Sequence, residues 1–412
     1  MEIRPILSTL RRHKLTATLL TLQIAFTCAI VCNVAFMIAN RVRAVSLPSG
    51  IAEDQVSAIS SIGIQKGVNP VAQHAEDLAA LREIAGVTSV VAVSRSLPLN
   101  QNDSSMGTCP NETSLDLAYK NQSLQGTNCV QPSVYDGTPG LIKTLGLQLV
   151  EGRDFTPDEF VQGQKDPPAV IITGALAKAL YPDGNALGKT LYTDPGHPVR
   201  IVGIIDKLLR PYLRKPEQNY YSMIFPQITD QQWVTYVLRS VPQDRERVLK
   251  AAKAALLRVN SSRIIDPKYI LTYSQIRTQY FRRDTTMIGL LIVSALGLLF
   301  VTALGIAGLA NFWVGQRTRS IGIRRAIGAT RADILRYFQT ENFLIVTGGV
   351  VLGVLLAIGL NLLLMKYYEL PRLPLWYLSV GAVVLWLLGQ LSVLAPALRA
   401  SNLPPVVATR SV

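Results

Sequence analysis

Four stretches of this chain carry no Asp, Glu, Lys or Arg: Leu15–Asn40, Thr285–Gln316, Asn342–Met365 and Leu373–Leu398. Each exceeds the roughly 20 residues that, at about 1.5 Å rise per residue, cross about 30 Å of hydrocarbon as an α-helix. A polar block, residues 41–284, separates the first from the second. One span, a large water-soluble block and three further spans describe a domain held outside the membrane by the two helices that enter and leave it. The expected class is therefore a four-helix membrane protein with a large mixed α/β extracytoplasmic domain. Its parts are a cytoplasmic segment 1–14, spans at 15–40, 285–316, 342–365 and 373–398, the domain at 41–284, a loop 317–341, a short external loop 366–372 and a tail 399–412.

Charge placement orients these spans. The loop after span two holds Arg317, Arg319, Arg324, Arg325, Arg331 and Arg336, whereas the loop after span three holds only Lys366 and Arg372. Basic loops stay on the cytoplasmic side, which puts both termini inside and the block outside. Arg41, Arg43, Arg282 and Arg283 at the outer ends oppose this bias without reversing it. Tyr280, Phe281, Trp313, Trp376 and Tyr377 sit where interfacial aromatics belong. The apolar run after the basic Met1–Lys14 is too long for a cleaved signal and reads as an uncleaved anchor. The net charge of +14 is scattered and flanks the spans, which fits anionic lipid head groups and not nucleic acid.

The block itself shows strand-like Val87–Val93, Ala169–Thr173, Val199–Ile205 and Trp233–Leu238, with helical patterns at Ala75–Ala85, Gly174–Leu180 and Gln243–Val259. Two β-α-β-like passages are separated by an insertion over about 94–168. Within it, Asn100–Pro132 is rich in Asn, Ser, Gly and Gln and contains Cys109 and Cys129. In an oxidising compartment a disulfide between them would stabilise that segment by about 3 kcal/mol. Two glycosylation-type sequons, at Asn111 and Asn121, mark a surface loop. Cys28 and Cys32, four apart in span one, read as small packing residues. The junctions at Asn40–Arg43 and Arg282–Asp284 are short, so spans one and two either continue as a stalk or simply tether the domain.

Catalytic patterns are missing. His13, His74 and His197 are far apart, and no H-E-x-x-H, C-x-x-C or G-x-S-x-G occurs. Gly184-Asn-Ala-Leu-Gly188-Lys189-Thr190 imitates a phosphate loop but has three residues between its glycines where four are needed. A turn into a strand Lys189–Tyr192 is expected there. The spans lack the membrane-embedded charge that ion-coupled transporters use, and hold only polar groups such as Gln23, Asn33, Asn311, Asn361 and Gln390. A membrane protein without an energy source of its own needs a partner. The Arg-rich loop, with Ile321, Ile323 and Ile327 between arginines and a Thr330/Asp333 partial capping box, is the candidate docking element.

That loop resembles the signature E-I-G-I-R-R-A-I-G-A-T-R-x-D-I of MacB-like and FtsX-like ABC transporter permeases, of the mechanotransmission class. Ile321, Gly322, Ile323, Arg324, Arg325, Ala326, Ile327, Gly328, Ala329, Thr330, Arg331, Asp333 and Ile334 match, while Ser320 replaces the acidic residue. Glu341 with Gly348, Gly349 and Gly353 is similar to the family's third span, and Pro396 to Pro404 to its ending. Leu145-Gly-Leu, Glu151–Phe155, Ala186–Lys189 and Val202–Ile204 resemble the MacB-type periplasmic core domain.

The resemblance implies a non-catalytic permease subunit in a bacterial inner membrane, with its large domain in the periplasm. It also implies a partner ATPase dimer in the cytosol that binds ATP and Mg and docks on Arg319, Ile321–Thr330 and Asp333. With 14 residues before span one, that ATPase is expected to be another chain. A second permease copy or a related permease would pack through Gly348, Gly349 and Gly353, and a periplasmic membrane-fusion adaptor is a further possible partner. No metal or resident cofactor is expected. The expected work is extrusion or release of a periplasmic substrate. The alternative is control of a periplasmic hydrolase or signalling protein by the same movement.

Overall fold

The computed structural model describes residues 14–65, 67–163, 166–368 and 372–402. Arg4, Arg11, Arg12, His13, part of the 366–372 loop and Pro404 lie outside the described residues. The chain divides into a soluble unit, Leu47–Arg282, and a helical unit made of Met1–Ser46 and Arg283–Val412.

In chain order come α1 (Lys14–Val45), β1 (Val56–Gly63), α2 (Pro70–Arg82), β2 (Val87–Val93), α3 (Glu112–Asn121), β3 (Ser133–Asp136), α4 (Leu141–Leu145) and β4 (Leu149–Gly152). There follow β5 (Val161–Gln162), β6 (Ala169–Thr173), α5 (Gly174–Leu180), β7 (Thr190–Asp194), β8 (His197–Ile205), β9 (Ser222–Phe225), β10 (Gln227–Ile228) and β11 (Trp233–Ser240). The last are α6 (Arg245–Val259), β12 (Arg263–Ile264), β13 (Ile270–Thr272), α7 (Tyr273–Gln316), α8 (Thr318–Ala326), α9 (Arg331–Tyr368) and α10 (Leu375–Ser401).

The soluble unit holds two sheets. The first has order β12-β1-β11-β2 with β13 also on β1, and all its pairs are antiparallel. Alternation along β11 sends Val234, Tyr236 and Leu238 to one face, where they meet Leu78 and Leu81 of α2 and Val248, Ala252 and Leu256 of α6. Its opposite face, with Val237, Val56 and Val91, packs with Leu141, Ile142, Ile171 and Ile205 into the core shared with the second sheet. That second sheet is mixed, in the order β3-β9-β6-β8-β4 with β7 also on β8. Its central strand β6 is buried on both faces, which is why Ala-Val-Ile-Ile-Thr reads as an unbroken apolar run. Val170, Ile171 and Ile172 are fully buried, each worth about 1.5–3 kcal/mol.

The insertion expected over 94–168 is not bounded there. β3 pairs with β9 and β4 with β8, so the second sheet draws its strands from residues 133–225. The expected helix Ala75–Ala85 is Pro70–Arg82, because Asn69 caps it by accepting from Val71 and Ala72 with Pro70 in the first turn. The strand after the false phosphate loop begins at Thr190, not Lys189. In that loop the Gly188 N–H is spent on the Ile201 carbonyl at 2.9 Å, and Lys189 lies 4.7 Å over the Tyr181 ring. The Gly188 N–H is therefore not free for a phosphate. Gly152 explains part of the Glu151–Phe155 pattern: its φ is +80°, and a Cβ there would meet the Val202 carbonyl at 2.3 Å.

Two devices fix the periphery. Cys109 and Cys129 form a disulfide that packs on Leu115 and Ala118 of α3. A buried polar chain joins α2 to the first sheet: Arg263 donates to both Asp77 oxygens at 2.7 and 2.8 Å, and the Tyr236 hydroxyl also donates to Asp77. His74 stands beside it, Nε2 2.9 Å from the Gln231 carbonyl and Nδ1 3.2 Å from the Tyr236 hydroxyl. Since a carbonyl only accepts, Nε2 carries the proton. Burial pushes the His74 imidazole below its ordinary value of 6.5.

In the helical unit, α1 packs along α9 and α10. Asn33 donates to the Ala29 and Ala357 carbonyls, Asn342 donates to the Gly389 carbonyl, and the Thr27 and Thr302 hydroxyls meet at 2.8 Å. These polar groups therefore join helices through hydrogen bonds, while Asn33 Oδ1 has no partner among the described residues. Cys28 and Cys32 are buried against Ala357, Leu378 and Leu385. The outer face of α7 shows Leu290, Val293, Leu296, Phe300 and Leu304, all exposed and apolar. A helix of that kind needs a nonpolar solvent.

Two measurements check these devices. Replacing Cys109 and Cys129 together by serine is expected to lower the stability of the soluble unit by about 3 kcal/mol in urea titrations, since the bond closes a separation of 20 residues. For His74, a lowered native pKa means that the unfolded chain binds the proton first as pH falls. Stability is therefore complete above the ordinary value of 6.5 and declines below it. His74→Gln is expected to flatten that decline in thermal melts between about pH 7.5 and about pH 5.

Candidate functional site

Two long helices, α7 and α9, are joined by the short α8, and the turn between them is defined by local chemistry. Thr318 donates to the Val314 and Gly315 carbonyls at the end of α7. After α8, Ile327 is the cap and Gly328 reverses the chain at φ +106°. Thr330 and Asp333 then form a reciprocal cap on α9: Thr330 N and Oγ1 donate to Asp333 at 3.0 and 2.6 Å, and Asp333 N donates to Thr330 Oγ1 at 3.2 Å.

This short helix has two kinds of surface. Ile321 and Gly322 are buried, Ile321 within a cluster that includes Trp313, Ile334, Phe338 and Ala397. Ile323 and Ile327 point out, and Ile327 is 81% exposed. Arg319, Arg324, Ala326 and Gly328 are exposed beside them, and Arg325 and Ala329 are half-buried. The Arg324 guanidinium lies 4.8 Å from the centre of the Tyr337 ring, which orients it. An apolar knob ringed by arginines is thus held on a packed base. It can recognise an acidic surface with an apolar recess. Among the described residues no cluster of three or more His, Cys, Asp or Glu is placed to hold a metal.

The sequence-predicted residues Arg319 and Ile321–Thr330 fall on α8 and the turn after it, and Asp333 lies in the first turn of α9. Sequence reasoning missed the ion pair behind it. Arg317 donates to Glu341 Oε2 at 2.6 Å, with side chains only 15% and 2% exposed. Arg317 also lies 5.9 Å from the Trp313 ring centre. The available signal was Glu341 itself, a lone acid at the head of an apolar stretch, which demands a buried cation. The three glycines separate. A Cβ on Gly349 would meet Ile24 at 2.8 Å and one on Gly353 would meet Cys28 at 2.4 Å, both on α1, whereas Gly348 faces open space. Gly349 and Gly353 therefore serve packing within the chain.

The FtsX-like permease C-terminal model matches residues 292–405, and the MacB-like periplasmic core domain model matches residues 17–255. The chain belongs to the MacB/FtsX-type ABC transporter permeases. It is similar to the uncharacterized ABC transporter permease YknZ of Bacillus subtilis, 26% identical over 66% of this chain and 68% of that one. The macrolide export ATP-binding/permease protein MacB of Sodalis glossinidius is 25% identical over 92% of this chain, which spans 57% of that relative's length. Among solved structures, the periplasmic region of MacB from Actinobacillus actinomycetemcomitans aligns at a TM-score of 0.33 and 14% identity, over 56% of this chain and 94% of that one. The helix-turn element lies wholly within the FtsX-like match of this permease.

The glycine geometry yields a direct test. Gly353→Ala is expected to destabilise the helical unit by about 1–3 kcal/mol, since α1 must move to admit the methyl group, and Gly348→Ala is expected to be near neutral. Detergent-solubilised melting of the two variants would compare them.

Proposed function

We propose that this permease converts ATP hydrolysis by a cytosolic ABC ATPase into movement of its Leu47–Arg282 unit, and so drives extrusion or release of a substrate in the periplasm. The element α8 docks the ATPase dimer through Ile323, Ile327, Arg319 and Arg324. The ATPase partner, and not this chain, binds ATP and Mg. Both termini and α8 face the cytoplasm of a bacterial inner membrane, the soluble unit faces the periplasm, and two permease copies, alike or related, act together. A membrane-fusion adaptor is a further partner in this reading.

The observation that carries the reading is the construction of α8. Ile321 anchors it in a packed cluster while Ile323 and Ile327 stay uncovered between arginines. Burying an isoleucine recovers about 1.5–3 kcal/mol, and each charge-assisted contact adds a similar amount, so this small surface suffices for a specific dock. Support also comes from α7, which begins at Tyr273 inside the soluble unit and continues as one helix to Gln316, next to α8. A push on α8 thus meets a helix whose first residues belong to the other unit. The Arg317–Glu341 pair ties the base of α8 to α9, and uncharged spans agree with work done outside the membrane and not through it.

Reversing Arg324 and Arg325 to glutamate is expected to weaken ATPase docking about tenfold or more, at about 1.4 kcal/mol per power of ten. The readout is ATPase stimulation by the reconstituted permease, with the melting of the soluble unit unchanged. Full stimulation by the reversed variant would sink the reading.

A further inference from the structure

A cleft of about 950 Å³ opens within the soluble unit between the end of β2, the start of β11 and the outer strands of the second sheet. Its size is that of a small-molecule site, and its lining is polar. Trp233 forms one wall, set edge-on to Tyr269 at 6.1 Å. The exposed Arg95, which also lines the cleft, has its guanidinium 4.4 Å from the centre of the Trp233 ring and donates to no described residue. Its five N–H donors have no acceptor among the described residues.

The carboxylates of the cleft differ in what answers them. Asp103 is paired with Arg210 and Arg214, and Asp166 with His197. Asp136 and Asp194 have no cation partner among the described residues: Asp136 accepts from Ser94, and Asp194 from the Tyr119 hydroxyl at 3.1 Å. Burial also pushes the Asp136 carboxyl above the usual carboxylate range, a cost that a bound cation would relieve.

The wall next to Arg95 is strained. Leu99 and Gln101 have φ of 62° and 66°, a region that non-glycine residues avoid. Backbone bonds from Leu99 to the Arg210 carbonyl and from Gln101 to the Pro211 carbonyl hold them there. Gln101 lines the cleft as a result. Strain maintained by surrounding bonds, beside an open polar cleft, is a mark of a binding wall.

A free guanidinium and two unanswered carboxylates around one polar cleft complement a ligand of both signs. We propose that the cleft binds a zwitterionic, peptide-like solute, its carboxylate on Arg95 and its ammonium on Asp136 and Asp194. The binding stands apart from the ATPase reading, because it needs only the soluble unit's own residues.

Calorimetric titration of the full chain in detergent with the tripeptide Ser-Gln-Ser tests it, beside the N-acetylated and the C-amidated forms of the same peptide. The free tripeptide is expected to bind, and each blocked form to bind about tenfold or more weakly. Arg95→Gln is expected to erase the discrimination against the amide and keep that against the acetyl form; Asp194→Asn is expected to weaken the discrimination against the acetyl form. Both residues are exposed, so these variants fold; Asp136→Asn is added where its melting matches the parent. No binding of the free tripeptide at millimolar concentration, equal binding of all three peptides, or an unchanged ranking in both variants would each overturn the proposal.

Discussion

Moving an ion the size of a carboxylate or guanidinium into an apolar interior costs several kcal/mol even after the surroundings relax. The helical unit is arranged around that cost. Its spans carry no charge, and the acids found at their ends are neutralised in place. Arg41 meets Asp284 where α1 and α7 leave the apolar stretch, and Arg317 meets Glu341 at the other end of α7. The second pair also sets the base of α8. One electrostatic requirement thus fixes both the limits of the apolar helices and the stance of the surface they present.

The soluble unit solves a different problem by other means. Its two sheets share a core on their facing sides, and each has a second apolar face covered by helices, α2 and α6 on one and α5 on the other. Close backbone approach at Gly152 and the disulfide at Cys109–Cys129 fasten the edges. Where the two sheets part, polar side chains line the cleft beside Arg95 and Trp233. The same two-sheet construction therefore supplies a compact body and, at its rim, the polar recess proposed to bind a solute.

Legibility followed the range of the interactions. Val87–Val93, Ala169–Thr173 and Gly174–Leu180 were readable to the residue, because their apolar pattern or cap lies within the element. β1 was not: Val-Ser-Ala-Ile-Ser-Ser-Ile-Gly looks half polar, and its strand state comes from pairing with β11 more than 170 residues away in the chain, as in Ser60 with Thr235. The strands β3 and β9 are four residues each and exist through pairing, β3 with β9 in parallel and β9 also with β6 antiparallel. At the candidate site, the Ile321–Thr330 motif and the Thr330/Asp333 cap were local and visible. The Arg317–Glu341 pair spans 24 residues: the lone acid Glu341 at the head of an apolar stretch signals a cation, and only packing selects Arg317 as its partner.

Taken alone, the sequence determined the four apolar stretches, the soluble block between the first two, the arginine-rich motif and the family it resembles. Those features depend on composition and short spacing, which hydrocarbon and helix geometry read directly. Tertiary structure decided which isoleucines of α8 are buried and which are offered, that Gly349 and Gly353 face α1 while Gly348 does not, and that Arg95 and Asp136 line one cleft. Each of these depends on which distant surface arrives opposite a side chain, and that is set only when helices and sheets pack.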